Sequence, residues 1–157
     1  MSVIDTLVTN RTPEQAGELR RLKQTPFADM TAAQQARFLN DLAGSYSWVD
    51  LNRVAQACAY VYGVFQAAGY DVPGYTALKD DWTETDKPNL AFLNAYLGSV
   101  AVLKARLNTA QELPTTMRFL TTEGANNIEK LLIAVDDTLT RLQSAYWYSG
   151  EIQAGEE

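Results

Sequence analysis

The sequence predicts an all-α fold, a bundle of about five helices with one longer loop at residues 70–81. Three observations predict it. Apolar residues recur at helical spacing, most regularly Ile128, Leu132, Val135, Leu139, Leu142 and Tyr146, at steps of 4, 3, 4, 3 and 4, which is a heptad seam. Helix-start signals stand in front of such stretches, as in Thr12-Pro-Glu-Gln15 and Thr31-Ala-Ala-Gln34, where a hydroxyl and an amide three residues apart can cap each other's backbone N–H groups. A second strongly apolar helical stretch at residues 81–107 sits beside the heptad seam in the same small chain, and two such helices favour packing at shallow angles. With 157 residues, 46% hydrophobic and 20% charged, one folded domain over residues 1–157 is expected, with enough chain for a core.

Taken in order, residues 1–10 form a weakly apolar lead (Val3, Ile4, Leu7, Val8) that either docks on a neighbour or frays. The first helix is polar and charged through Arg11, Glu14, Glu18, Arg20, Arg21 and Lys23, and packs through Ala16, Leu19 and Leu22. Its basic end reads as a solvated C-terminal turn, where cations are favoured. Thr25-Pro26 breaks the chain. The second helix turns Ala36, Phe38, Leu39 and Leu42 inward and stops at Gly44.

Ser47, with Asp50 three residues on, caps the third helix, whose stripe is Leu51, Val54, Cys58, Val61 and Phe65. Ala55, Ala57, Ala59 and Gly63 offer a small-residue face for a close neighbour. After Gly69 comes the loop with Pro73, Gly74 and Tyr75. In the next helix Asp86 serves as the cap and Pro88 lies in the first turn. Leu90, Leu93, Leu97, Val100 and Leu107 make one stripe, broken by Lys104, and Phe92, Tyr96 and Leu103 make a second. A helix apolar on two faces is either central or turned toward a second chain. Pro114 then stops the chain, and Thr121 or Thr122 caps the last helix, whose seam Leu131 and Ile133 widen. Residues 149–157 are polar and acidic and read as a mobile tail. Mid-helix asparagines (Asn40, Asn52, Asn94, Asn127) are poor helix formers; a bond to a neighbouring loop carbonyl explains them better than catalysis.

The composition narrows function by subtraction. The formal charge of −6 argues against a phosphate-binding surface, so no nucleic-acid partner is expected. There is no histidine, which removes the usual base near neutral pH and the commonest zinc ligand. The single cysteine, Cys58, lies in an apolar run and reads as a buried hydrophobe. Asp80, Asp81, Glu84 and Asp86 crowd one segment but fit capping better than a calcium loop, which needs a mid-loop glycine and a terminal glutamate. Asp136 and Asp137, with Glu129 or Glu123, could be read as a carboxylate set; adjacent aspartates on a helix point apart, so they read as an exposed polar face, with Arg141 pairing Asp137. No catalytic, cofactor-binding or metal-binding residue is assigned, and no enzyme is expected. No signal peptide is visible, and no apolar run approaches the roughly 20 residues needed to cross a bilayer, so synthesis in the cytoplasm and no membrane contact are expected. Trp48 and Trp82 lie near helix starts and read as staples on the following turn. Tyr146-Trp147-Tyr148 can cover the core's end, anchor a neighbouring subunit or stack on sugar rings.

Several short blocks resemble a family of small helical proteins from tail modules of phages and prophages of Gram-positive bacteria. They are DWTETD at residues 81–86, with Asn94 eight residues past its last aspartate, LTTEGANNIEKLL at 120–132 and WVDLNRV at 48–54. The likeness extends from residues 4–12 to 148–156. Lys87-Pro88-Asn89 stands where that family would have Ile-Pro-Thr, so a packing role carries over rather than a given contact. The resemblance implies a virion component of the tail, baseplate or fibre, located in the virion and working by assembly. Expected partners are further copies of the chain, in a rotationally symmetric homo-oligomer (a trimer would suit a fibre), and other virion proteins. The residues expected to make the contacts are Leu90, Leu93, Tyr96, Leu97 and Val100, with Leu132, Val135, Leu139, Tyr146 and Trp147. The competing readings are a soluble prophage regulatory protein that binds a host factor, and a carbohydrate-binding adhesin module using the aromatic cluster.

Overall fold

Three long helices enclose the core, and the reason is visible in their stripes. The computed structural model describes the backbone of residues 1–40 and 46–154 and the side chains of residues 1–39 and 46–145. Among these residues the helices are α1 (Pro13–Gln24), α2 (Ala32–Asn40), α3 (Trp48–Ala67), α4 (Leu90–Leu107) and α5 (Thr122–Ala154), and there is no strand. Val54, Cys58, Val61 and Phe65 of α3 meet Val100 and Leu103 of α4 and Ile128, Leu131, Leu132, Val135 and Leu139 of α5, all fully buried. Each such aliphatic or aromatic side chain contributes roughly 1.5–3 kcal/mol of transfer free energy. Burial also pushes the Cys58 thiol far above its ordinary pKa, which keeps it protonated and inert.

Local chemistry sets most of the helix ends. Thr12 Oγ1 accepts from the Gln15 N–H (3.3 Å) while the Gln15 side chain accepts from the Thr12 N–H (3.0 Å). Thr31 and Gln34 do the same at the head of α2. The Ser47 N–H donates to Asp50 Oδ2 (2.7 Å) ahead of α3, and Thr121 Oγ1 accepts from the Gly124 N–H (3.0 Å) in α5. Gly124 sits in a tight place: a Cβ there would lie 3.1 Å from Leu120 Cδ1 and 3.3 Å from Thr121 Oγ1, so those side chains would have to shift.

α4 departs from the expectation. Its cap is Asn89, whose Oδ1 accepts from the Phe92 N–H (3.0 Å). Asp86 instead closes a turn on the Thr83 N–H (2.7 Å) and hydroxyl (3.1 Å), so Pro88 precedes the helix and the loop expected at residues 70–81 runs on to 89. By length and composition alone α4 could span a bilayer, contrary to expectation, although Tyr96, Leu97, Val100 and Leu103 are buried inside the bundle.

α1 and α2 form a peripheral hairpin. α1 buries Leu19 and Leu22 as expected, and Glu18 pairs with Arg37 across the hairpin (2.8 Å). α2 does not turn inward: Ala36 and Leu39 are exposed and Phe38 is half-buried against Phe27, with ring centroids 6.2 Å apart. The stop at Gly44 and the packing of Leu42 lie outside the described residues. At the N-terminus the lead docks on its own chain. Val3–Thr6 forms a 3-10 turn capped by Ser2 and Asp5, and Ile4 is buried against the core. At the other end α5 continues through Ala154, so residues 149–154 extend the helix where a mobile tail was expected.

Candidate functional site

The most polar place in the interior is a cluster that joins the N-terminal strap to α3 and α5. Glu129 is fully buried on α5. Its Oε1 accepts from Arg11 Nη2 (2.5 Å) and Arg53 Nη2 (2.9 Å), and its Oε2 accepts from Arg53 Nε (3.1 Å) and the Val8 N–H (2.5 Å). Asp50 Oδ1 accepts from Arg11 Nη2 (2.7 Å) and from Arg53 Nη2. Two guanidiniums thus face two carboxylates, and the buried charge cancels. Burial alone would lower the pKa of both arginines, but the attraction of Glu129 and Asp50 outweighs it and raises them. The Arg11 guanidinium also lies 5.5 Å from the centre of the Tyr46 ring. The Tyr46 hydroxyl bonds the Tyr96 hydroxyl, and burial pushes the pKa of both far up. Asn126 completes the strap: its Oδ1 accepts from the Arg11 N–H (3.0 Å) and its Nδ2 donates to the Arg11 carbonyl (2.9 Å). Glu129, enclosed and bonded through both oxygens, is placed to hold the chain together and not to abstract a proton.

Two expectations are corrected here. Arg11 is buried and not part of the first helix, and Glu129 does not belong to an exposed polar face. Glu129 lies four residues after Ala125 and three before Leu132, both buried, so the 3.6-residue period places it on the inner side. The mid-helix asparagines divide as well. Asn52 does bond a loop, through Trp82; on α5 the bonding residue is Asn126 and not Asn127, while Asn94 is exposed.

Arg11 also forms one wall of a groove of about 920 Å³ between α1, the start of α4 and residues 117–125. Ala16, Leu19, Leu93 and Leu120 supply apolar lining, and Arg20 and Lys23 stand along it. None of the described lining residues is an aspartate or glutamate. At the mouth Phe119 is 85% exposed and holds φ at +60°, a left-handed backbone that costs a non-glycine residue roughly 1–3 kcal/mol. The Arg118 guanidinium covers its ring at 5.1 Å.

The residues expected to meet a partner fall into three groups. Tyr96, Leu97, Val100, Leu132, Val135 and Leu139 are buried in the chain's own core and cannot contact another subunit in this conformation. α3 lies against both α4 and α5, and this three-way packing consumes stripes that each looked surplus when read alone. Leu90 is 52% exposed, and Leu93 is half-buried and lines the groove. Tyr146 and Trp147 lie on α5, with side chains outside the described residues. Exposed apolar area appears elsewhere instead, at Leu39, Trp48, Val49, Phe119 and Leu142. Trp82 is buried and packs edge-to-face on Phe92, with centroids 5.6 Å apart; Trp48 stays 40% exposed.

In the acidic segment, Asp81 pairs with Lys79 (2.6 Å), and Asp86 is held below its usual pKa, chiefly by the Thr83 N–H. Among the described residues no three His, Cys, Asp or Glu side chains are gathered to hold a metal ion. The fold defines the class of the molecule, an all-α bundle, with five α-helices among the described residues. No protein-family model matches the chain, and neither a curated protein nor a solved structure matches it.

Proposed function

We propose that the chain is a structural component of a phage virion, from the tail, baseplate or fibre region, and that it acts by helix-mediated self-association and not by catalysis. The observation that carries the assembly part is on α5. Its last buried residue is Leu139, and residues 140–145 are all exposed. Six consecutive helical residues sample every face of a helix, so no face of this part of α5 is buried in the chain's own core. The helix nevertheless continues to Ala154. A helix of about 12–15 residues is marginal in water without tertiary support, and this one carries Leu142 and the Tyr146-Trp147-Tyr148 cluster in its sequence. A neighbouring subunit supplies the missing support.

The virion context rests on the resemblance of residues 48–54, of residues 81–86 with Asn94, and of residues 120–132 to tail-module proteins. Mass spectrometry and antibody labelling of purified particles test it. The chain should be found in intact particles, at the tail, in fixed ratio to the other tail proteins. Presence in infected cells with absence from particles would overturn the virion reading and favour the regulatory one.

A further inference from the structure

We infer that the projecting end of α5 in one copy seats in the groove beside α1 of a second copy, so that subunits join head to tail. This names the partner surface for the assembly reading and rests on it. Three observations converge. The groove is apolar inside and basic along its length: Arg20 and Lys23 are exposed and, among the described residues, neither forms an ion pair. The segment that leaves the bundle is its chemical complement. From Leu142 to the end the sequence has no Lys or Arg and three glutamates, Glu151, Glu156 and Glu157, with Leu142, Tyr146, Trp147, Tyr148 and Ile152 as apolar anchors. In a chain of net charge −6, a groove free of described carboxylates is the natural seat for an acidic segment, since opposite charge steers and orients docking. Large apolar side chains entering a groove from one face of a helix are a recurrent mode of helix recognition, and positions 142 and 146, four residues apart, share such a face.

The third observation excludes docking within one chain. The groove lies at the N-terminal end of α5, where Thr122 and Ala125 line it. The 33 residues of α5 place the far end about 50 Å away at 1.5 Å per residue. A segment projecting from one end cannot return to a groove at the other without breaking the helix, so the occupant comes from another copy. An end-to-end contact of two different surfaces closes into a ring or grows into a filament, and either suits a tail component.

The test uses full-length chains and sedimentation velocity over a range of concentrations. The wild type should associate, less so as salt is raised. R20E/K23E, altered at exposed groove positions, and E151K/E156K, altered on the last stretch of α5 and in the sequence that follows it, should each weaken association at least tenfold while the far-ultraviolet spectrum and melting temperature stay those of the wild type. Mixing the two variants should restore association, because the reversed groove then meets the reversed segment. Association that survives in both variants, or that mixing fails to restore, overturns the docking geometry and leaves the assembly reading standing on another surface. A wild type that stays monomeric at all concentrations overturns the docking inference, while the particle analysis decides the virion reading on its own.

Discussion

Two asparagines pin two loops in the same way, and their surroundings differ. Asn52 on α3 accepts from the Trp82 N–H (2.7 Å) and donates to the Trp82 carbonyl (2.8 Å). Asn126 on α5 makes the same pair of bonds with Arg11 (3.0 and 2.9 Å). An amide has one acceptor and one donor end, spaced like a backbone N–H and C=O, so it clasps a single residue of passing chain. The clasp at Trp82 is half-buried, and its side chain continues into an aromatic contact with Phe92 and lies 5.2 Å from Lys79 Nζ. The clasp at Arg11 is buried, and its side chain enters the paired charges of Asp50, Arg53 and Glu129. The bonds are alike, so the cost of breaking each clasp is set by what remains behind in low dielectric. Both matter to the groove: Arg11 and Pro13 form one side, and Pro88, beyond the Trp82 clasp, lies on another.

The largest expected effect tests the charged side of that contrast. Glu129→Gln keeps the shape and leaves two guanidiniums facing one carboxylate at a buried site, so it should cost about 3–5 kcal/mol, read by urea unfolding. A loss below about 1 kcal/mol would mean that water reaches the cluster and screens it. Next in size, Asn126→Ala strips both partners from the buried Arg11 backbone and should cost about 2–4 kcal/mol, from two unsatisfied groups at about 1–3 kcal/mol each less some relaxation. Asn52→Ala removes the same two bonds where water can partly replace them, and should cost about 1–2 kcal/mol. Equal losses at Asn52 and Asn126 would break the comparison, because burial would then have no influence on two chemically identical clasps.

The contrast also separates what was legible in the sequence from what was not. The caps Thr12–Gln15, Thr31–Gln34 and Ser47–Asp50 join residues three apart, so the local chain states them in full. The heptad seam was legible as an apolar face, and Ile128, Leu132, Val135 and Leu139 are fully buried. Which neighbour covers that face is a tertiary fact, and six side chains assigned to a partner went to the chain's own core. The Arg11–Glu129 pair spans 118 residues, and nothing local marks it except a glutamate standing on an inner helical face. Asn127 was singled out where Asn126 makes the bonds, an error of about 100° around the helix. At α4 two side chains competed to cap. Asp86 was engaged by Thr83 within its own turn, which left Asn89 to start the helix.

The smallest effect sharpens the comparison by reversing its sign. Asp136 is a half-buried carboxyl on α5, seven residues beyond Glu129, and among the described residues it forms no ion pair. Burial raises its pKa, and the negative charges of Asp137 and Asp5 add to the rise, while the Tyr60 hydroxyl offsets part of it. The folded chain therefore holds this proton more tightly than the unfolded chain does. Well below the ordinary carboxyl pKa both states are protonated and the contribution to stability is fully present. As pH rises through the folded value the unfolded chain has already ionised, the folded chain must accept a poorly placed charge, and the contribution is lost. Asp136→Asn should therefore match the wild type in acid and gain a small increment in melting temperature toward neutral pH, read by parallel melts between about pH 3 and pH 8. A variant less stable than the wild type at neutral pH would show that the Tyr60 hydroxyl bonded to the Asp136 carboxylate outweighs its burial and the nearby negative charges, and that α5 holds both Glu129 and Asp136 as stabilised anions by one mechanism instead of two.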